Sequence, residues 1–442
     1  MVITPDKWHD ARETLPVNAS GLVQLVGWFG STHAEAQWRK EPEFLSVFHL
    51  RQIPGFDPQV DDWDPTYAAI EAEVMASASV IVIRLENNEL VNGSLGSVAE
   101  IGLALTSAAL RGQVVVVSVE DGLLTSLNEP GAIAQYMIIE MFLEQWEKSP
   151  EMPGLLHIHR GDNLTGLAEM ICDVVEQQQT AAQSLVDFNQ FLEKKARRRH
   201  NFPLRVVLAG SGGPFSRAHN PTFQQKKQVL LAPYRADGQM VKVLSEGAVA
   251  EAWQIPYGSV DHIGVAMATR TLLSIESEYK READVLLMPL MSEAASKGAA
   301  TEIGVLLLSA LNTGQGVKIY LEPFDPVDYI KHHLGEAANG YARSEKEMRL
   351  ALKKAGVGDA LLATAVQAEV EVAYNLIHQM MQGPQPGFRQ VKKSLLGKTP
   401  TYAQADNIRR VRALVQAHLE ALHHDQRFPE FFEYATKIEL EP

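Results

Sequence analysis

A single cysteine, Cys172, stands among 442 residues. One thiol cannot form an intrachain disulfide, and it excludes a metal site built from several cysteines. A reducing, cytoplasmic location is the expectation. Long apolar runs are also missing. Val114–Val119 and Val305–Leu311 are the most apolar stretches, and both fall far short of the roughly 20 residues that cross a bilayer. The opening segment Met1–Asp10 has no basic stretch followed by an apolar one, so neither a signal peptide nor membrane contact is expected. Basic charge is in deficit: Lys and Arg total 40 against 54 Asp and Glu, a net charge of −14. Binding to a phosphate backbone needs clustered cations, so nucleic acid is not an expected partner. The local exception, Lys194–His200, reads as an exposed basic link between domains. Hydrophobic residues make up 46% of the chain and charged residues 21%, which excludes a largely disordered polymer.

What is present is an internal repeat. Residues 96–102 read Gly-Ser-Val-Ala-Glu-Ile-Gly and residues 298–304 read Gly-Ala-Ala-Thr-Glu-Ile-Gly, an offset of 298 − 96 = 202. The flanks match in kind. Ala78–Leu85 and Ala283–Leu290 precede the two copies as short apolar runs, suited to buried parallel strands. Helix-like stretches, Tyr67–Met75 and Thr269–Lys280, come before those runs. After each Glu-Ile-Gly the chain is apolar on every side of a helix, Leu103–Leu110 and Val305–Leu311, and stops at Gly112 and Gly314. Second strands follow at Val114–Val119 and Val317–Leu321. Each half opens on an apolar run that ends in glycine, Leu22–Gly27 and Arg205–Gly210.

This alternation predicts an α/β fold with two tandem doubly wound parallel-sheet domains, Rossmann-like and flavodoxin-like in class. The expected boundaries are 1–180 for the first domain, 181–202 for the basic linker and 203–342 for the second domain. Residues 343–442 read as a helical C-terminal region, with helices at Ser344–Ala355, Asp359–Met381 and Ala403–His424.

Glu100 and Glu302 hold the same place in the repeat. Gly96 and Gly298 would make the turn, and each Glu would fall in the first turn of a buried helix. The helix end favours the ionised carboxylate and desolvation opposes it. An ionised, partly desolvated carboxylate can attack a sugar carbon, and a first-turn Glu is also ordinary helix chemistry. Glu71 and Glu276 form a second pair, each seven residues before the strand-start alanine, on the preceding helix. In the second half, Gly210, Ser211, Gly212 and Gly213 offer backbone N–H groups and a hydroxyl to a phosphate. In the first half, Gly27, Trp28 and Phe29 offer an aromatic surface for a base, or a packed edge. His157 and His159 share one strand face without a third ligand nearby, so no metal site and no cofactor are expected. Cys172 falls on an apolar helix stripe and reads as core.

The strand, turn and G-x-x-x-E-I-G elements at Gly96–Ala104 and Gly298–Val305 resemble the nucleoside 2-deoxyribosyltransferases and the related 2′-deoxynucleoside 5′-monophosphate N-glycosidases. The resemblance covers about 150 residues in each half and implies a tandem duplication. It implies that Glu100 and Glu302 are nucleophiles and that Glu71 and Glu276 help hold the sugar. That family usually has an Asp six residues before the nucleophile; here the positions are Ser94 and Ser296.

The implied activity is cleavage or exchange of the N-glycosidic bond of a nucleoside or nucleoside 5′-monophosphate through a glycosyl-enzyme. The second half is favoured, because Ser211–Gly213, Ser296 and Lys297 add polar and cationic groups. The alternative is a nucleotide-binding sensor with the same fold and no chemistry. A tandem chain would form an intrachain pseudo-dimer, open to further homo-oligomerisation.

Overall fold

The computed structural model describes residues 1–30, 37–60, 65–86, 96–126, 130–147, 154–178, 186–201, 203–209, 221–235, 241–245, 278–292, 297–325 and 402–438. The chain divides into two compact units. One comprises Met1–Leu290, Ser296–Glu322 and Arg410–Pro442; the other comprises Met291–Ala295 and Pro323–Arg409. Both β-sheets belong to the first unit.

The first sheet contains β1 (Val2–Ile3), β2 (Val23–Gly30), β3 (Gly55–Phe56), β4 (Ala78–Leu85), β5 (Val114–Val119) and β6 (Leu156–Arg160). Its order is β1-β3-β2-β4-β5-β6, parallel throughout. The second contains β7 (Leu204–Leu208), β8 (Val241–Ser245), β9 (Val285–Leu290), β10 (Gly316–Leu321) and β11 (Glu433–Ala435). Its order is β8-β7-β9-β10-β11, again all parallel. Apart from the two-residue β1, both sheets run 2-1-3-4-5 in chain order, the flavodoxin-like arrangement. The inner strands read as near-continuous Val, Ile and Leu because both faces are covered. Every residue of β4 is buried.

Eleven helices of the described residues are used below. They are α1 (Trp8–Thr14), α2 (Pro42–Arg51), α3 (Pro65–Ser77), α4 (Gly96–Arg111), α5 (Leu123–Ser126), α6 (Pro130–Glu147), α7 (Leu164–Gln178), α8 (Phe188–Arg198), α9 (Pro221–Arg235), α10 (Lys297–Thr313) and α11 (Tyr402–His423). The helices that carry the repeat, α4 and α10, pack directly on each other. They meet at their glycines. A Cβ on Gly102 would lie 2.5 Å from the Val305 backbone nitrogen. Thr106 Oγ1 donates across the contact to the Gly304 carbonyl at 3.0 Å. Burial on every side explains why α4 has no polar face: all sixteen of its residues are buried.

A second likeness between the halves lies at the sheet entrances. Gln113 donates its amide to the Met75 and Ala78 carbonyls at 2.7 and 2.6 Å. Gln315 donates to the Lys280 and Ala283 carbonyls at 2.6 and 2.7 Å. Each buried glutamine ties the end of one helix to the start of the strand that follows.

One expectation about organisation is qualified and one changes. The expected basic linker is helical over Phe188–Arg198; Arg197, Arg199 and His200 are exposed, while three of its cations end on carbonyl oxygens. Lys194 donates to Asn312, Lys195 to Glu430 and Phe431, and Arg198 to Thr313 and Ala283. Positive side chains neutralise the carbonyl-rich end of α10. The region expected to be helical, 343–442, also supplies β11, which completes the second sheet beside β10. The second sheet therefore draws on residues beyond 342. Ser344–Ala355 and Asp359–Met381 lie outside the described residues. Cys172 is buried among Leu167, Ala168 and Ile171, and burial pushes its thiol up to about 11. No described helix is long and apolar enough to cross a membrane.

Candidate functional site

In open parallel sheets, ligands bind at the carboxyl ends of the strands, where neighbouring connections leave toward opposite faces. In the first sheet that point lies between β2 and β4. The chain after β2 passes Trp38 and Arg39 into α2, on the face that buries Val80 and Val82. The chain after β4 reaches α4, on the face that buries Ile81, Ile83 and Leu85.

Glu100 sits on α4 and is only 2% exposed. Its Oε1 is 3.0 Å from Nε2 of His418, which α11 brings in from 318 residues away. Both side chains are buried. Glu302 holds the matching place on α10. Its Oε1 is 2.7 Å from the Lys280 ammonium, again with both side chains buried. The two repeat carboxylates are thus each held by a base, but by different bases from different places. Lys280 corresponds to Met75 of the first half, because Gln315 and Gln113 bind their carbonyls in the same way.

The other expected residues fall as follows. Glu71 is buried on α3. Gly96 is the first residue of α4 and not a separate turn, and Glu100 and Glu302 fall beyond the first turn of their helices, contrary to expectation. Trp28 and Phe29 are packed rather than open. Trp28 meets Phe44 and Phe48 edge-on, with ring centroids 5.4 and 5.0 Å away, and Phe29 packs toward Phe56. Gly27 is needed because a Cβ there would strike the Phe29 ring at 2.5 Å. Lys297 and Gly298 form the first turn of α10. Ser94, Gly210, Ser211, Gly212, Gly213, Glu276 and Ser296 lie outside the described residues.

A polar cluster that the sequence did not single out lines the carboxyl edge of the first sheet. Arg39 binds Asp57, just past β3, at 2.8 Å. The buried Arg84 guanidinium, at the end of β4, donates to Ser118 Oγ at 2.7 Å and to the Gly161 carbonyl at 3.3 Å, and lies 3.7 Å from Glu120. Ser118 Oγ is 3.1 Å from His159 Nδ1. Burial, then the Arg84 charge, holds the His159 pKa below its ordinary value. Glu86 follows β4 directly and is partly exposed. Burial, reinforced by Glu120, pushes its carboxyl up to about 7, against the pull of Arg84, Arg39 and the Trp38 backbone N–H. Charge alternation within strand ends is the only sequence signal for this cluster, and it emerges only once the strand order is known.

Among the described residues, the corresponding edge of the second sheet carries polar contacts of its own. Arg412 of α11 donates to the Leu290 and Glu322 carbonyls, at the ends of β9 and β10, at 2.7 and 2.6 Å. Lys226 of α9 binds Glu322 at 2.6 Å, and both are buried. Among the described residues, no group of three or more His, Cys, Asp or Glu side chains could hold a metal ion. No family model, curated protein or solved structure matches the chain.

Proposed function

We propose that the protein cleaves or exchanges the N-glycosidic bond of a nucleoside or nucleoside 5′-monophosphate, with Glu100 as the nucleophile. The observation that carries this reading is the Glu100–His418 contact beside the binding edge of the first sheet. A buried carboxylate has lost its water shell, and an imidazole on one oxygen fixes its direction. In the first step a Glu100 oxygen bonds to C1′ while the C1′–N bond breaks, and the base leaves with that electron pair and gains a proton. In the second step water, or a second base, bonds to C1′ and releases Glu100. Two displacements give net retention. The family resemblance at Gly96–Ala104 supports the same chemistry, and the shared strand order of the two sheets supports a tandem duplication.

The sequence favours the second half for catalysis. The Arg412 and Lys226 contacts favour the first, because they engage the strand-end carbonyls and the Glu322 carboxylate of the second sheet. They also favour a second reading, in which the fold binds a nucleotide without cleaving it.

A nucleoside and nucleotide panel, followed for free base, separates these readings. Glu100→Gln is expected to abolish release and Glu302→Gln to leave it. Unchanged release in both variants refutes the mechanism. Binding without release in the wild type favours the sensor.

A further inference from the structure

At the amino edge of the first sheet, away from the carboxyl ends of the strands, a cleft of about 580 Å³ opens between α3 and α11. That volume lies within the usual range for small-molecule sites. The walls are small and apolar. Ala69, Ala72 and Ala76 recur at i, i+3 and i+7 on α3, and Ala417 and Ala421 at i and i+4 on α11, so methyl groups line the space from both helices. Gly21 also lines it, and a Cβ there would meet no atom within 4 Å.

The rim carries charge of both signs. Three guanidiniums line the cleft, Arg12, Arg111 and Arg427, with three carboxylates, Glu73, Glu420 and Asp425, and the exposed His424. Arg12 of α1 pairs with Glu73 of α3. Asp425 holds the other two arginines. Nη2 of Arg111 and Nη2 of Arg427 donate to its Oδ2 at 2.8 and 2.7 Å, and Nε of Arg427 donates to Oδ1 at 2.9 Å. Arg111 is buried, and it also donates to Ser107 and the Ala421 carbonyl. Arg12 and Arg427 have donors to spare. Among the described residues, Nε and Nη2 of Arg12 and Nη1 of Arg427 have no protein acceptor, and the two side chains are 49% and 54% exposed. Glu420 accepts from Gln416 on Oε1 at 2.9 Å, which leaves Oε2 for a ligand.

This mixture of signs selects the ligand. A simple anion would meet Glu73 and Glu420 as well as the arginines, and a simple cation would meet the arginines as well as the carboxylates. Like charges brought face to face oppose binding. A molecule with one charge of each sign on an apolar body pairs with both and covers the alanines. We propose that the cleft binds a small zwitterion of the apolar amino-acid class. The ligand carboxylate meets the open N–H groups of Arg427, its ammonium meets Glu420, and its side chain lies between the alanine walls. The site is independent of the glycosidic reading above.

Isothermal titration of the full chain tests it with three probes. They are L-phenylalanine, 3-phenylpropanoate, which lacks the ammonium, and 2-phenylethylamine, which lacks the carboxylate. L-Phenylalanine is expected to bind with a Kd on the order of 1 mM or tighter. Each single-charge probe is expected to bind at least about tenfold more weakly. Arg427→Gln and Glu420→Gln should each weaken L-phenylalanine by about tenfold, and Ala421→Leu, which fills the cleft, should abolish its binding. Asp425 keeps Arg111 when Arg427 is replaced, and the thermal unfolding of each variant checks that it folds. The wild-type comparison of the three probes needs no variant. No binding of L-phenylalanine at about 10 mM overturns the proposal. A single-charge probe that binds as tightly as L-phenylalanine overturns the zwitterion. Binding unchanged by all three substitutions puts the ligand outside this cleft and overturns the assignment. None of these outcomes bears on base release.

Discussion

At the scale of single residues, the carboxylates of this chain are governed by which base reaches them. Asp425 is the clearest case outside the site. Burial alone would raise its pKa, but hydrogen bonds from Arg427 and the Arg111 charge outweigh burial and hold it down to about 2. Arg111 closes α4 and Asp425 follows α11, so the pair fastens the first half to the last segment of the chain. A depressed carboxyl stabilises the fold above its unfolded pKa and loses that contribution as pH falls through the folded value. The urea midpoint of the wild type is expected to fall between about pH 4 and pH 2 by an amount worth about 1–2 kcal/mol that Asp425→Asn does not show. Identical acid limbs in the two proteins would remove Asp425 from the account. The same principle sets what a reader of the sequence can find. Glu100 and Glu302 are visible because they recur in a seven-residue motif. Their partners are not. His418 lies 318 residues from Glu100 and carries no local pattern. Lys280 lies in the helix-like stretch Thr269–Lys280 of the sequence, and nothing in that stretch hints at a buried ammonium.

At the scale of elements, the two motif helices are defined by their contact. Glycine in the middle of a helix normally costs about 1 kcal/mol relative to alanine. Here the sign should reverse, because a Cβ on Gly102 would press on the Val305 backbone. Gly102→Ala is expected to destabilise the protein by about 1–3 kcal/mol, the usual cost of overpacking, as measured by denaturant unfolding. A stabilised variant would mean that α4 and α10 stand further apart than described. The strands and buried helices could be read from the sequence because their physics is local. Continuous Val and Ile runs at Ala78–Leu85 and Val114–Val119 can only be covered strands, and both lie at those residues in the structure. The short strands were less legible. Gly55–Phe56 is two residues long and Glu433–Ala435 is three. Neither has enough residues to establish a period, and both exist only because a longer neighbour pairs with them. Trp28 and Phe29 show the same limit. An aromatic pair at a strand end reads equally as a stacking surface or a packed edge, and here Phe44, Phe48 and Phe56 decide for packing.

At the scale of the whole molecule, two sheets of one strand order are joined through their equivalent helices, and each half lends a helix toward the other. Gln135 of α6 donates to Thr301 of α10 at 3.0 Å, while α11 brings His418 to Glu100. The halves then differ in what occupies their binding edges. The first carries the buried Arg39 and Arg84 with a partly exposed Glu86, and the second carries the buried Arg412 and Lys226. That difference is invisible in the motif, which is nearly the same in both halves, and it is one ground on which the chemistry is proposed for the first. The most direct test is the intact-protein mass after mixing with nucleosides and quenching in acid. The account predicts one added pentosyl group on the wild type and on Glu302→Gln, and none on Glu100→Gln. An adduct that survives Glu100→Gln, or that disappears with Glu302→Gln, would contradict it.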